Sequence, residues 1–268
     1  MGNTLNTGAP GANLNSLFGS ALNEGSLSAG SANTLCAQDI GAKIKAGLGT
    51  PVDEVNASEV VLLTVLIDDS SSMGGNEQVL MDGYNNLVIQ ALKDTKQSDG
   101  ILVHTRYLSD FILDPYTFID TATPMTPANY SAHLGYTPLH DQTLVTLGAV
   151  IAKTQDFANN GVHVRSITLI LTDGENNYGR HSAAEVAKVV ADMRASENHI
   201  IAAMGIGWNE ALFRREFTEM GIDPKWILTP KNTPTEVRAA LQVFSRSAVR
   251  ASQSAKNFSQ AAGGGFGS

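Results

Sequence analysis

Hydrophobic residues in the central part of this chain alternate between short continuous runs and repeats at helical spacing. Val60–Ile67 is a continuous run that ends in Asp68, as expected of a strand buried on both faces. Val164–Leu171 is a second run of this kind. Elsewhere, apolar residues recur every three or four positions, which indicates helices. The pattern predicts strands at 60–67, 101–108, 111–118, 164–171, 200–206 and 226–228, and helices at 79–92, 139–157, 182–195, 209–220 and from 234 onward.

This order of elements predicts an α/β fold. Strands that alternate with helices form a mostly parallel sheet with helices on both faces. Ile101–Leu108 and Phe111–Phe118 are separated by only two residues, which favours a hairpin and therefore one antiparallel edge strand. We expect a doubly wound, Rossmann-like sheet, and the ligands of such sheets usually bind at the carboxyl ends of the strands.

The two ends of the chain have compositions typical of flexible segments. Residues 1–35 are rich in Gly, Asn, Ser and Ala and contain one charged residue, Glu24. Leu14, Leu17, Phe18 and Leu22 are at helical spacing, which leaves open a transient helix or a segment that docks on a partner. The last residues include three consecutive glycines. We therefore expect an N-terminal arm with a possible short helix (1–56), a central domain (57–252) and a mobile C-terminal tail (253–268).

Composition and charge narrow the class of protein. The 268 residues include 26 acidic and 18 basic ones, for a net charge of −8, which argues against a surface for nucleic acid. The single cysteine, Cys36, cannot form an internal disulfide. The longest apolar run has the length of a strand rather than of a membrane span, and the first residues lack the pattern of a signal peptide. We expect a cytoplasmic protein without a membrane segment.

Three oxygen-rich clusters occupy the positions where a ligand site is expected. Asp68-Asp69-Ser70-Ser71-Ser72 follows the first buried strand. Gly135-Tyr136-Thr137-Pro138-Leu139 precedes a helix, and Thr172-Asp173-Gly174 follows another buried strand. Hard oxygen donors with few carboxylates suit Mg²⁺ or Mn²⁺ better than zinc.

These clusters resemble the motifs of von Willebrand factor A (VWA) domains. The first is similar to the Asp-x-Ser-x-Ser motif of their metal-ion-dependent adhesion site. The second resembles the family's Gly-Gly-Thr-Pro-Leu loop, the third its Thr-Asp-Gly turn, and Gly205-Ile206-Gly207 its Gly-Ile-Gly strand end. Order and spacing agree over roughly residues 58–250.

The resemblance implies a role for each matching residue. Ser70 and Ser72 would bind the metal through their hydroxyls, and Thr137 would bind it directly or through water. Asp68 and Asp173 would act mainly through water and hydrogen bonds. The cation would then favour an acidic group, an Asp or Glu supplied by a partner protein.

The sequence departs from the family pattern at two positions. Ser71 replaces a glycine in the first motif, and Tyr136 replaces the second glycine of the second motif. The Tyr136 ring would lie beside the metal, where it would contact a partner or narrow access. The additional carboxylate in the first motif, Asp69, is expected to cap the following helix rather than to bind metal.

Three functions remain open at this stage. The leading hypothesis is a non-catalytic protein-interaction module, and the resemblance allows a role as adaptor for an AAA+ ATPase of the MoxR type. The alternative is a structural component that self-assembles through its N-terminal arm. A metal-dependent phosphatase or hydrolase is the third, and its only candidate base is the pair His140-Asp141. We expect no catalytic residues.

Overall fold

A six-stranded sheet forms the centre of the computed structural model, which describes residues 13–267. The strand order is β3-β2-β1-β4-β5-β6, and all neighbours are parallel except β2 and β3. This confirms the predicted fold class, including the single antiparallel edge strand. The strands are β1 (Glu59–Ile67), β2 (Ile101–Tyr107), β3 (Ile112–Phe118), β4 (His163–Thr172), β5 (His199–Gly205) and β6 (Ile227–Leu228).

Helices cover both faces of the sheet. The long α6 packs against β1 and β4, and α7 and α8 pack against β5. On the other side α9 packs against α4, α5 and the π-helical segment Gly83–Ile89 that joins them. None of the helices within residues 13–267 is long and apolar enough to cross a membrane. The helices are α1 (Leu14–Asn23), α2 (Ala29–Leu35), α3 (Gln38–Ala46), α4 (Glu77–Asp82), α5 (Gln90–Lys93), α6 (Leu139–Ala158), α7 (Ala183–Ala195), α8 (Glu210–Glu219), α9 (Pro234–Ser252) and α10 (Ala255–Gly264).

The register of the sheet brings the carboxyl ends of the central strands to one edge. Ile67 of β1 lies opposite Tyr107 of β2 and Leu171 of β4, and Thr172 lies opposite Gly205 of β5. All but the first residue of β1 and of β4 are buried, as their continuous apolar runs predict. The loops that follow β1, β2, β4 and β5 therefore meet at this edge, which we call the carboxyl edge.

The prediction of a flexible arm is wrong for the described part of residues 1–35. Helices α1 and α2 occupy this stretch, and α3 follows them. Phe18, Leu35 and Ile44 are buried, and all three helices contact α6 or α7. The low apolar content of the segment suggests too little burial for folding, but most of its large side chains, such as Phe18 and Leu35, are buried in helices that contact α6. Residues 1–12, also assigned to the arm, lie outside the described residues.

The predicted mobile tail also contains structure. Helix α10 packs on α9 and buries Phe258 and Ala261. Beyond it, the ring of Phe266 meets Trp226 edge-on at 4.8 Å between centroids. Phe258 and Phe266 thus anchor the C-terminal segment, which its glycine content predicts to be mobile. The domain boundaries at residues 57 and 252 stay a prediction.

Candidate metal site

Asp68, the first residue after β1, organises the loop that follows it. One carboxylate oxygen accepts a hydrogen bond from the Ser70 N–H at 2.7 Å, and the other accepts one from the Thr172 hydroxyl at 2.5 Å. The Asp68 side chain is fully buried. Asp68 therefore joins the loop after β1 to the end of β4, and it fixes the position of the loop that carries Ser70 and Ser72.

Ser70, Ser72 and Asp173 converge on one point at the carboxyl edge. The hydroxyls of Ser70 and Ser72 lie 3.0 Å apart, and the Ser72 hydroxyl donates to Asp173 Oδ1 at 2.7 Å. Burial raises the pKa of Asp173 to about 6; the hydrogen bond from Ser72 opposes this rise and the charge of Asp68 adds to it. The structure thus places together four of the five residues that the sequence predicts.

Thr137, the fifth predicted residue, sits in a loop that is bound to both other loops. The Leu134 carbonyl accepts from the Ser71 N–H at 2.8 Å, and Leu134 forms a parallel bridge with Ser70. The Thr137 N–H donates to Asn177 Oδ1 at 2.7 Å, and a Cβ added at Gly174 would lie 3.8 Å from Thr137 Oγ1. Its hydroxyl therefore lies beside the loop that carries Asp173.

Asp69 has a different role from the helix cap expected. Its Oδ1 accepts from the Ser109 N–H in the β2–β3 turn at 3.0 Å, and its carbonyl accepts from His133 and Leu134. Burial raises the pKa of Asp69, an effect that the hydrogen bonds from Ser109 oppose. Asp69 thus ties the loop after β1 to two neighbouring loops.

The donor set fits a small, hard cation. Two carboxylates and three hydroxyls come from three loops, and no sulfur or imidazole is among them. Within residues 13–267 there is no group of three or more His, Cys, Asp or Glu side chains that could hold a metal. A site built on hydroxyls does not depend on such a group, so the residues present remain compatible with Mg²⁺ or Mn²⁺.

Several residues that support the site were not among the five predicted ones. Thr172 and Asn177 hold Asp68 and Thr137 through the bonds given above. Tyr130 donates its hydroxyl to the Asp68 carbonyl at 2.8 Å. The position of Thr172 beside Asp173 offers a signal for its role, whereas nothing in the local sequence connects Tyr130 with Asp68, 62 positions away.

His140 and Asp141 do not form a pair. His140 Nε2 contacts Glu216 Oε1 at 2.6 Å, while Asp141 accepts hydrogen bonds from the backbone N–H groups of Arg180 and His181. Asp141 also lies in the first turn of α6, where a negative charge is favourable. The two side chains therefore have separate partners and do not form the His140-Asp141 pair that the hydrolase hypothesis names.

Comparison with solved structures finds the same fold at low sequence identity. Over 73% of this chain, proximal thread matrix protein 1 from the mussel byssus is 16% identical, with a TM-score of 0.50 and 47% of that protein covered. The pilus adhesin SpaC from Lactobacillus rhamnosus GG is 13% identical over 73% of this chain and 30% of its own, with a TM-score of 0.55. A von Willebrand factor type A protein from Catenulispora acidiphila is 16% identical over 72% of this chain and 43% of its own, with a TM-score of 0.45.

The chain spans about half or less of the length of these structures. No family model and no curated protein matches the sequence.

Proposed function

We propose that this chain, which has the von Willebrand factor A fold, is a protein-interaction module that binds a carboxylate of a partner through a divalent cation. Asp68, Ser70, Ser72, Thr137 and Asp173 would hold the cation, Mg²⁺ or Mn²⁺. A cation bound there supplies the positive charge that attracts the partner's Asp or Glu. The chain's own residues would hold the cation beside the exposed Ser72.

One observation carries this proposal: the contact of Ser70, Ser72 and Asp173 at the carboxyl edge. The Ser70 and Ser72 hydroxyls of the loop after β1 lie 3.0 Å apart, and the Ser72 hydroxyl lies 2.7 Å from the Asp173 carboxylate of the loop after β4. Ser72 is exposed, so the cluster is accessible from outside. Buried hydrogen bonds to Asp68 and Thr137 hold the loops behind it in place.

The hydrogen bonds of Asp68 explain why a bound cation would keep affinity for an outside carboxylate. Both oxygens of Asp68 already accept hydrogen bonds, from Ser70 and Thr172. Neutral hydroxyls would then supply most of the direct ligands, and they leave the charge of the cation incompletely balanced. A carboxylate from a partner completes that balance.

The finer parts of the proposal rest on the sequence. We further propose a cytoplasmic location and an absence of catalysis, and the resemblance allows an adaptor role beside an AAA+ ATPase of the MoxR type. Self-assembly through a flexible arm loses its support in residues 14–46, because they form helices packed on α6 and α7.

The test is a direct measurement of metal binding by calorimetry with Mg²⁺ and Mn²⁺. We expect the wild-type protein to bind one cation, and Ser72→Ala or Asp173→Ala to weaken binding by at least about a hundredfold, because changes even to residues behind metal ligands cost 10–100-fold. The matched control is Ser247→Ala, whose hydroxyl bonds only to the Val243 carbonyl of its own helix.

Equal binding by Ser72→Ala, Asp173→Ala and wild type would place the metal elsewhere and refute the proposal. Pull-down of partners in Mg²⁺ and in EDTA, with wild type and Asp173→Ala, then tests the second step. A partner retained by all four combinations would show that another surface does the binding.

A further inference from the structure

Exposed aromatic rings concentrate at the carboxyl edge. Within residues 13–267, five large hydrophobic side chains are exposed, and four of them are aromatic. All four lie in loops at this edge, whereas the fifth, Leu22, lies on α1. We call the four the aromatic rim: Phe111 (49% exposed), Tyr136 (43%), Tyr178 (59%) and Trp208 (73%).

Three members of the rim lie in loops that border the candidate metal site. Tyr136 precedes Thr137, and Tyr178 follows Asn177, whose side chain binds the Thr137 N–H. The rings of Tyr136 and Tyr178 lie 4.3 Å apart. Trp208 comes two residues after Ile206, whose N–H donates to the Thr172 carbonyl at 2.9 Å, next to Asp173.

The backbone that presents Tyr178 is held in place. Asp141 accepts hydrogen bonds from Arg180 at 3.1 Å and from His181 at 2.9 Å. Gly179, between Tyr178 and Arg180, has φ +124°, and a Cβ there would lie 2.8 Å from the Asp141 carboxylate. A binding surface fixed before its partner arrives loses less entropy on binding.

Exposed rings of this size are costly for a surface that meets only water. Clustered apolar exposure marks interaction sites, and Trp and Tyr are enriched among the residues that contribute most to binding. Packing within the fold does not require Trp208, since most of its side chain is in solvent. The rim is therefore better explained by a partner than by folding.

Charged groups near the rim are already paired. Glu175, two residues after Asp173, contacts Arg215 at 2.6 Å, and Lys43 contacts Asp110, next to Phe111, at 3.0 Å. Lys231 lies 6.0 Å from the centre of the Trp208 ring. A partner with several charges would have to compete with these contacts, whereas apolar side chains would bury the rings without disturbing them.

We propose that the aromatic rim selects a protein loop that presents one Asp or Glu flanked by apolar or aromatic side chains. This inference rests on the proposed function, because the carboxylate would meet the cation while the flanking side chains cover the rings. The undescribed residues 1–12 contain no Asp or Glu, so that segment cannot supply the carboxylate.

The experiment is selection from a displayed library of randomised looped peptides on the full-length protein in Mg²⁺, with elution by EDTA. We expect the eluted peptides to share one acidic position with Trp, Tyr, Phe, Leu, Ile or Pro beside it. The best peptide should bind the double variant Tyr178→Ser, Trp208→Ser at least about tenfold more weakly than wild type. The control Leu22→Ser, on an exposed apolar residue outside the rim, should stay within about twofold of wild type.

The outcomes separate this inference from the proposed function. Eluted peptides with an acidic position but polar or charged neighbours would overturn the inference and leave the metal-dependent function standing. Equal affinity of the best peptide for wild type and the double variant would do the same. If EDTA elutes no peptides with a shared acidic position, the proposed function fails and the inference fails with it.

Discussion

His104, in the middle of β2, is fully buried and neutral in the folded protein. Its Nδ1 lies 2.7 Å from the Asp114 carbonyl, which can only accept, so Nδ1 carries the hydrogen. Burial lowers the pKa of His104 to about 3, and the charge of Arg106 adds to this effect while the bond to Asp114 opposes it. In the unfolded chain a histidine titrates near ~6.5.

This difference in pKa predicts a loss of stability in mild acid. Between pH 6.5 and about 3 the unfolded state binds a proton at His104 that the folded state does not. The free energy of unfolding therefore falls as pH decreases through this range, by an amount on the order of a few kcal/mol. Urea unfolding from pH 7 to 4.5 should show a shallower decline for His104→Asn, which keeps a donor for the Asp114 carbonyl, than for wild type.

A second substitution separates the effect of His104 from the effect of removing any histidine. His163, at the start of β4, is exposed, and His163→Asn should keep the wild-type slope. The slope, rather than the absolute stability, is the quantity to compare, because the smaller Asn side chain also removes packing. If His104→Asn keeps the wild-type slope, then the burial of a neutral His104 does not make stability depend on pH.

At the scale of elements, substitutions in α1 test whether this helix is packed on the domain or belongs to a flexible arm. Phe18 is 1% exposed and Leu22, one turn later in the same helix, is 41% exposed. Truncation of a buried Phe to Ala typically costs about 3–5 kcal/mol. We expect Phe18→Ala to lower the free energy of unfolding by about that amount in urea, and Leu22→Ala to change it by less than about 1 kcal/mol.

Similar small effects of the two substitutions would mean that α1 detaches from α6 without cost. The structural account of residues 14–23 as part of the folded unit would then be wrong. The difference in helix propensity between Phe and Leu, less than about 0.7 kcal/mol, is small beside the loss expected for Phe18→Ala.

The elements differ in how far the sequence could predict them. Strands such as β1 and β4 are set by continuous apolar runs, which burial on both faces requires. The burial of Phe18, Leu35 and Ile44 depends instead on α6, more than a hundred positions later, and local composition does not show it. The π-helical segment Gly83–Ile89 keeps nearly the apolar spacing of an α-helix and so gives no separate signal.

The candidate site also has a part that the sequence predicts and a part that it does not. Four of its predicted residues lie in motifs at the ends of β1 and β4, where the topology must bring them together, whereas Thr137 precedes α6 and is predicted from the family resemblance. The contacts that fix them, such as Asn177 to Thr137 and Tyr130 to Asp68, join loops at distances along the chain that no motif spans. Short motifs therefore predict the ligands, and only the folded structure shows how they are held.

At the scale of the whole molecule, a cation at this site would join three loops that come together only in the folded state. The unfolded chain has the same side chains but no convergence of Ser70, Ser72 and Asp173. Binding would therefore stabilise the folded protein by about 2.7 kcal/mol at roughly a hundredfold excess of cation over its Kd. For a domain of this size, that corresponds to a rise in Tm of roughly 5–10 °C.

Thermal unfolding in Mg²⁺ and in EDTA measures this coupling without any partner. We expect the Tm to rise in wild type and in Ser247→Ala and not to rise in Asp173→Ala. This difference would separate binding at the site from general effects of salt. An equal rise in all three would trace the stabilisation to cations bound elsewhere on this acidic protein. No rise in wild type would mean that the three loops are held by their own hydrogen bonds and do not take up the cation.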